Sequence, residues 1–355
     1  MKTAILNIIF VALLIACVPF VAVLINKDIP DEPHKNTPVY STQTSSKENS
    51  TSNSVINSAE STAKKAKPNK KTDNSSFRIY DKATDKIIEV SDFDFICGAL
   101  ATELDTDTPT EAIKAQAVAV HTYYSYLREN ARASKKSYDF ECNSKIWQTY
   151  VSKDELKEKW GETYDESYTI ISDAVKDVSD IFVLYNNKLC MTRYFEISSG
   201  NTTSYSEVYS KDIPYLVGVP SAFDTVANNY KTKVELTKDD FDKAFKSKFS
   251  DYKPVKSTEN NITDIKKNDY NAVLELTVGN KTITGKQLME ALKLRSFTFD
   301  VSCSENKYIF TVYGYGENIG MSQYGAYCMA KQGSSYSEIL AYYYPDTSLS
   351  DISKE

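Results

Sequence analysis

Ile96-Cys97-Gly98-Ala99-Leu100-Ala101-Thr102-Glu103, a gap of five residues, then Pro109-Thr110-Glu111-Ala112-Ile113-Lys114-Ala115-Gln116-Ala117-Val118-Ala119-Val120-His121-Thr122-Tyr123: an apolar run that ends on a carboxylic acid, a loop, and an Ala-rich run that reads as a long helix. Ser91-Asp92 offers an N-cap for a first helix carrying Phe95, Leu100 and Glu103. Pro109 suits the first turn of the second helix, where a missing N–H costs nothing, and Glu111 suits the positive end of its dipole. Ile113, Ala117, Val120, Tyr124 and Leu127 recur at helical spacing and should face a core, with Ala between them allowing close approach. Glu103 is therefore a carboxyl held against apolar surface. Its charged form is disfavoured there, so it can stay protonated near neutral pH and act as a general acid. A Glu at a helix end is more often a solvated surface group. The rest of the chain decides between the two.

Outward on the N-terminal side, Phe77-Arg78-Ile79-Tyr80 and Ile87-Ile88-Glu89-Val90 read as two strands joined by a polar turn. Before them, 28–76 is rich in Ser, Thr, Asn and Lys and too poor in large apolar residues to fold, so it reads as a tether. Residues 1–27 hold an apolar run from Thr3 to Ile25, long enough to span a bilayer as a helix. Leu14-Ile15-Ala16-Cys17 resembles a lipoprotein cleavage box, but the apolar run continues beyond Cys17, which favours an uncleaved single-pass anchor over a signal peptide. The domain of 77–350 is then expected outside the cytoplasm. Nine Lys against six acids give residues 1–76 a charge of +3, leaving −9 on the remainder of a chain whose net charge is −6. So acidic a domain is poorly suited to nucleic acid, where Lys and Arg must neutralise phosphates.

Toward the C-terminus, hairpins and helices mix. Ile181–Tyr185, a turn at Asn186-Asn187-Lys188 and Leu189–Phe195 read as a hairpin. Lys238–Phe249 and Thr284–Lys293 read as helices, Ala272–Val278 as a strand, and Phe297–Val301 with Tyr308–Tyr313 as a strand pair. The mixed order predicts an α+β domain with antiparallel hairpins rather than a doubly wound sheet. The 26 Tyr residues suit both sugar stacking and an ordinary strand-rich core.

A second chemical stretch, Gly314-Tyr315-Gly316-Glu317-Asn318-Ile319-Gly320-Met321-Ser322-Gln323-Tyr324-Gly325-Ala326, leaves a strand and enters a helix. Its Gly spacing misses the dinucleotide fingerprint by one residue, and no repeated strand–helix units follow. Ser322 has no nucleophile elbow and no His downstream to serve as base. With only His34, in the tether, and His121, paired-His zinc motifs are excluded. Cys97 with His121 as base is a weaker alternative, because Cys97 sits inside an apolar run. Five Cys at irregular spacing outside the apolar N-terminus define no disulfide framework.

Together, Glu103 with Pro109 and Glu111–Ala119, then Ser198-Ser199-Gly200-Asn201-Thr202, Ile213–Val219, Gly320–Ala326 and Glu338–Pro345, resemble, in order, the segments of the stage II sporulation protein D family. The resemblance implies a membrane-anchored lytic transglycosylase that cuts peptidoglycan glycan during engulfment in endospore formation, with Glu103 as the catalytic acid. It implies stage II sporulation protein P, an amidase, and stage II sporulation protein M, a membrane scaffold, as partners, and a preference for glycan stripped of peptides. Three departures from the family pattern stand out: His121 stands where Arg is usual, Glu317 where His is usual, and Ile146-Trp147 where many relatives carry His and Cys. Neither a metal nor another cofactor is therefore expected.

One carboxyl group suffices for the implied reaction. Glu103 protonates the glycosidic oxygen and then, as carboxylate, takes the proton of the muramic 6-hydroxyl as it closes on C1. Lys114, Gln116, Ser322 and Gln323 are the candidates for holding sugar hydroxyls and developing charge. Two other readings stay open: a non-catalytic, wall-binding amidase enhancer, and a hydrolytic glycosidase using Asp105, Asp107 or Glu317 as second carboxylate.

Overall fold

The computed structural model describes residues 76–104, 107–146, 148–259, 261–304 and 306–351. The expected anchor and tether lie outside them, except Ser76, which is already paired with Ser91. Among the described residues no helix is long and apolar enough to cross a membrane. Helices and mostly antiparallel sheets alternate along the chain, an α+β fold, and the stretch 77–350 forms two compact units. The first holds 76–194, 213–216 and 329–351; the second holds 195–212 and 217–328.

In the first unit, strand Ser76–Asp81 pairs antiparallel with Lys86–Ser91 and, on its other edge, parallel with Phe140–Cys142. Asp81 holds the turn. Its carboxylate accepts from Ala83 N (3.1 Å), Thr84 Oγ1 (2.8 Å), Ser144 N (3.0 Å) and Ser144 Oγ (2.7 Å). Burial alone would raise its pKa, but the bonds from Ser144, Ala83 and Thr84 outweigh that and hold it at about 2. Ser91 ends the second strand and caps helix Asp92–Glu103, its hydroxyl accepting from Asp94 N at 3.1 Å. The long helix Thr110–Ala133 starts one residue later than expected, with Pro109 at the N-cap, its carbonyl accepting from Ala112 N and Ile113 N. Ile113, Ala117, Val120 and Tyr124 are buried as the spacing predicts, while Leu127 is half-exposed.

An aromatic chain joins these pieces. Phe77 lies 4.9 Å from Phe95, Phe95 4.7 Å from Tyr124, and Tyr124 4.5 Å from Phe140, ring to ring. Such pairs contribute about 0.5–1.5 kcal/mol each beyond the area they bury. Helix Asp92–Glu103 is buried along Phe95–Ala101. At Gly98 a Cβ would lie 2.3 Å from the Val151 carbonyl oxygen, so only glycine allows that close approach. Two helices that the sequence reading left unassigned, Lys153–Trp160 and Tyr164–Asp177, complete the layer.

Asn186 and Asn187 both take positive φ (50° and 57°), the turn that closes Ile181–Tyr185 on Lys188–Leu189. The second strand is shorter than the expected Leu189–Phe195. Past Cys190 its backbone leaves the ladder: Met191 N donates to Tyr215 Oη at 2.8 Å, and the Thr192 hydroxyl donates to the Ala119 carbonyl at 2.7 Å. The other edge of Ile181–Tyr185 takes up Ser348–Asp351. Helix Tyr336–Tyr343 returns to the long helix, with Tyr336 N on Glu111 Oε2 at 2.7 Å.

The second unit contains two three-stranded antiparallel sheets. Lys307–Tyr313 lies between Phe299–Ser304, its expected partner, and Lys231–Thr237; Val273–Val278 lies between Ile262–Lys267 and Lys281–Thr284. Helices Lys238–Lys248 and Gly285–Leu292 stand where expected, Thr284 serving as the N-cap of the latter. Phe241, Phe245, Leu276, Leu288, Phe299 and Phe310 are among the residues of its core.

Candidate active site

Glu103 is the last residue of helix Asp92–Glu103, where Leu104 turns to extended backbone while its N–H still bonds the Leu100 carbonyl. The side chain is half-buried. Its two oxygens have different donors: Gln116 Nε2 reaches Oε2 at 3.1 Å from the second turn of the long helix, and Tyr194 Oη reaches Oε1 at 3.2 Å. Gln116 is only 1% exposed, and its own Oε1 has no protein partner among the described residues. Tyr124, two and a quarter turns beyond Gln116 on the same helix, is buried and senses Glu103. Burial first, then the charge of Glu103, push its phenol up. An amide and a phenol thus hold the carboxyl, each on a different oxygen.

Of the other candidates, Gln116 is placed on Glu103. Lys114 is engaged elsewhere: its Nζ lies 2.9 Å from Asp177 Oδ2 and 3.6 Å from Glu111 Oε1, and the bond to Asp177 raises its pKa. In the second unit Ser322 is fully buried, donating to Asp224 Oδ1 at 2.6 Å and accepting from Gly325 N at 3.1 Å. Asp224 also accepts from Ser198 Oγ (2.7 Å) and from the Ser221 hydroxyl. Burial pushes its carboxyl above the ordinary range despite these three hydroxyls. Gln323, 8% exposed, opens helix Gln323–Lys331.

The Gly-rich stretch and the Ser198–Thr202 segment, far apart in the chain, are sewn together by Asn318. Its Nδ2 donates to Ser199 Oγ (3.1 Å), the Asn201 carbonyl (2.9 Å) and Thr203 Oγ1 (3.0 Å). Gly314, at φ 76°, leaves no room for a Cβ, which would meet the Ile197 carbonyl oxygen at 2.7 Å. Glu317 is paired with Lys286 at 2.8 Å and accepts from Tyr209 Oη at 2.9 Å. Burial would lower the Lys286 pKa, but Glu317 and Tyr209 leave it raised.

The Cys97–His121 alternative does not match the contacts. Burial pushes the Cys97 thiol up to about 12. His121 Nε2 faces Asp92 Oδ2 at 3.3 Å, an aspartate already held by Arg128 Nη1 at 2.7 and 2.8 Å. Asp92 opens the helix that Glu103 closes, so His121 stands at the opposite end from the acid. A zinc site at Cys142 also fails to fit. Burial first, then the charge of Asp81, push that thiol up to about 12, Asp81 is saturated by its four donors, and Ile146 is 53% exposed.

Sequence reasoning missed Tyr194 as a partner of the acid and Tyr124 as its neighbour. Tyr124 was legible as a core position. Nothing local marks Tyr194, which lies 91 residues from Glu103.

A half-buried acid at a helix terminus, clamped by two neutral donors in an α+β domain, defines a protein equipped for proton transfer. Residues 80–185, which include that acid, match the SpoIID family model, described as Stage II sporulation protein. It is 29% identical over 277 residues to Stage II sporulation protein D of Bacillus subtilis (strain 168), covering 78% of this chain and 79% of that one. It is 27% identical over 289 residues to the Stage II sporulation protein D of Bacillus amyloliquefaciens, covering 81% and 82%. Similarity extends at 23% identity over 300 residues to the Amidase enhancer of Bacillus subtilis (strain 168), 71% of this chain but 40% of that protein.

Proposed function

We propose that the chain is a peptidoglycan lytic transglycosylase of endospore formation, with Glu103 as its single acid and base. The observation that carries this reading is the placement of Glu103, with one neutral donor on each oxygen and a partly open face. Glu103 gives its proton to the oxygen between muramic acid and glucosamine as positive charge develops at C1. The resulting carboxylate, stabilised by Gln116 and Tyr194, takes the proton of the 6-hydroxyl as that oxygen closes on C1. The product is a 1,6-anhydro sugar, no water is consumed, and the acid is regenerated. The wall substrate places the domain outside the cytoplasm on a single-pass anchor. An amidase that strips stem peptides, stage II sporulation protein P, and a membrane scaffold, stage II sporulation protein M, are the partners this reading requires.

The similarity to an amidase enhancer supports a second reading, a non-catalytic wall-binding protein that assists a hydrolase. One experiment separates them. The full chain is given peptide-stripped glycan and the products are weighed by mass spectrometry. Ends lighter by one water than hydrolytic ends support the transglycosylase, and Glu103→Gln, which keeps shape but has no proton to give, slows cleavage by about 10²–10⁴-fold. Hydrolytic ends point to a two-carboxylate glycosidase. No cleavage, with the partner amidase accelerated equally by wild type and Glu103→Gln, establishes the enhancer.

A further inference from the structure

Arg295 has more hydrogen-bonding capacity than the described residues use. Its backbone is tied to the Gly-rich stretch, Gly316 N donating to its carbonyl at 2.9 Å. Its guanidinium carbon lies over the Tyr315 ring, 4.0 Å from the centroid, so the edge of the cation is what remains for partners. Along that edge the bonding is thin. Nη1 donates to the Asn229 carbonyl at 3.4 Å, whereas Nε and Nη2, both buried, have no hydrogen-bond partner among the described residues. Those two nitrogens form one side of the guanidinium fork, the spacing that grips both oxygens of a carboxylate. Buried donors of a cation are costly to leave unsatisfied, so their retention points to a ligand. The carboxylate at hand is Glu196, whose Oε1 lies 3.9 Å from Nη2, near enough to offset charge and too far to accept a hydrogen bond. Reciprocal backbone bonds between Ile197 and Tyr315, 3.1 and 2.7 Å, keep the Glu196 backbone beside the Gly-rich stretch. Its side chain, however, is 32% exposed and able to turn outward, and that of Arg295 is 21% exposed, so a carboxylate arriving from solvent can take its place.

We propose that Arg295 binds the free lactyl carboxylate of muramic acid, with Nε and Nη2 on its two oxygens and Glu196 displaced into solvent. The proposal rests on the reading of peptidoglycan glycan as the substrate. Muramic acid differs from glucosamine by a lactyl ether. Its carboxyl is tied up as an amide while a stem peptide is attached and becomes an anion once the peptide has been removed. A guanidinium fork tells the two forms apart: it takes the carboxylate through two charge-assisted bonds, but meets in the amide a neutral group with one acceptor oxygen and an N–H that opposes its own donors. Arg295 is thus a specificity residue, and the choice of stripped glycan becomes recognition of a charge rather than a matter of room. Glu196, which keeps the cation compensated until the ligand arrives, is two residues along the chain from Tyr194, the donor to Glu103 Oε1.

Binding is measured by titration calorimetry on the full chain carrying Glu103→Gln, so that the ligand persists, with melting temperatures alongside. The probes are peptide-stripped glycan and the same glycan with its lactyl carboxylates converted to methylamides. The methylamide form binds about 10–100-fold more weakly. Arg295→Met, added to that chain, weakens stripped glycan by a similar factor and abolishes the difference between the two probes. Arg295→Lys, which keeps the charge without the fork, retains only part of it. Glu196→Gln, which removes the competing carboxylate, tightens stripped glycan by about 2–5-fold and leaves the methylamide form unchanged. An Arg295 that served only the fold would instead lower the melting temperature when replaced and weaken both probes alike, which overturns the proposal; should Arg295→Met fail to fold, Arg295→Lys and Glu196→Gln decide. Equal binding of the two probes by the Arg295 chain refutes the carboxylate role and leaves the acid untouched, since that is tested separately by cleavage with wild type against Glu103→Gln. Displacement of stripped glycan by polyphosphate, with no effect of the methylamide conversion, assigns the fork to phosphate and overturns the proposal too. If neither glycan binds, the glycan reading falls and takes this proposal with it.

Discussion

Gly98→Ala tests how tightly the acid-bearing helix is seated. A Cβ at this position lies 2.3 Å from the Val151 carbonyl oxygen and 2.6 and 2.7 Å from the edge of the Tyr150 ring, against 3.4 Å or more in ordinary contact. Something must give by about an ångström. The ring is not free to swing away, because it stacks on Phe95 at 5.8 Å, and the other obstacle is backbone. Overpacking of this kind costs about 1–3 kcal/mol. Alanine recovers about 0.5–1 kcal/mol in a helix interior, so the net loss is about 1–2 kcal/mol. For a unit of this size that lowers the melting temperature by about 2–4 °C per kcal/mol. The helix that Gly98 seats ends on Glu103, so cleavage should fall as well. Thermal unfolding followed by circular dichroism is the assay. A variant as stable as wild type, or stabilised by the full alanine preference, would refute the close approach on which the reasoning rests.

Asp81 predicts an acid limb of stability. Its folded pKa of about 2 lies below the ordinary value of 3.8, so its contribution is fully present above about pH 4 and is lost as pH falls through about 2; Asp81→Asn should flatten that limb in urea titrations. Ser322→Ala leaves the buried Asp224 one donor short and should cost about 1–3 kcal/mol of stability, whereas a hydroxyl that served only to bind sugar would raise KM and leave the melting temperature alone. Protease added to osmotically opened cells should remove the domain beyond residue 76 if the N-terminal apolar run is an anchor; protection of the domain would overturn that topology.

What was legible in the sequence was local. Ser91 as cap, Pro109 at a helix start, the Asn186-Asn187 turn and the pairing of Phe299–Ser304 with Lys307–Tyr313 each depend on a few neighbouring residues whose chemistry admits few alternatives. What was not legible depends on distant partners. Lys114 looked like a cation beside an acid, but its partner is Asp177 at the far end of a helix that the sequence reading left unassigned. Ser322 looked like a polar group in a binding loop, but its acceptor is Asp224, 98 residues away and wholly buried. Glu103 was singled out from its apolar flank and given its role by the family resemblance; it is half-buried, while Tyr194 comes to it from a stretch that reads as ordinary strand.

The order in which the chain leaves the ribosome has a consequence for the unit that holds Glu103. That unit is assembled from both ends of the described sequence, its sheet edge at Ile181–Tyr185 being covered by Ser348–Asp351 and its long helix met by Tyr336–Tyr343. All of 217–328 must therefore be synthesised before the acid-bearing half can close. During translation that half has an open strand edge and an uncovered helix, the kind of surface that chaperones hold. The half that holds Glu103 is thus the last to be completed, so whatever that acid does begins only when the whole described chain has been made.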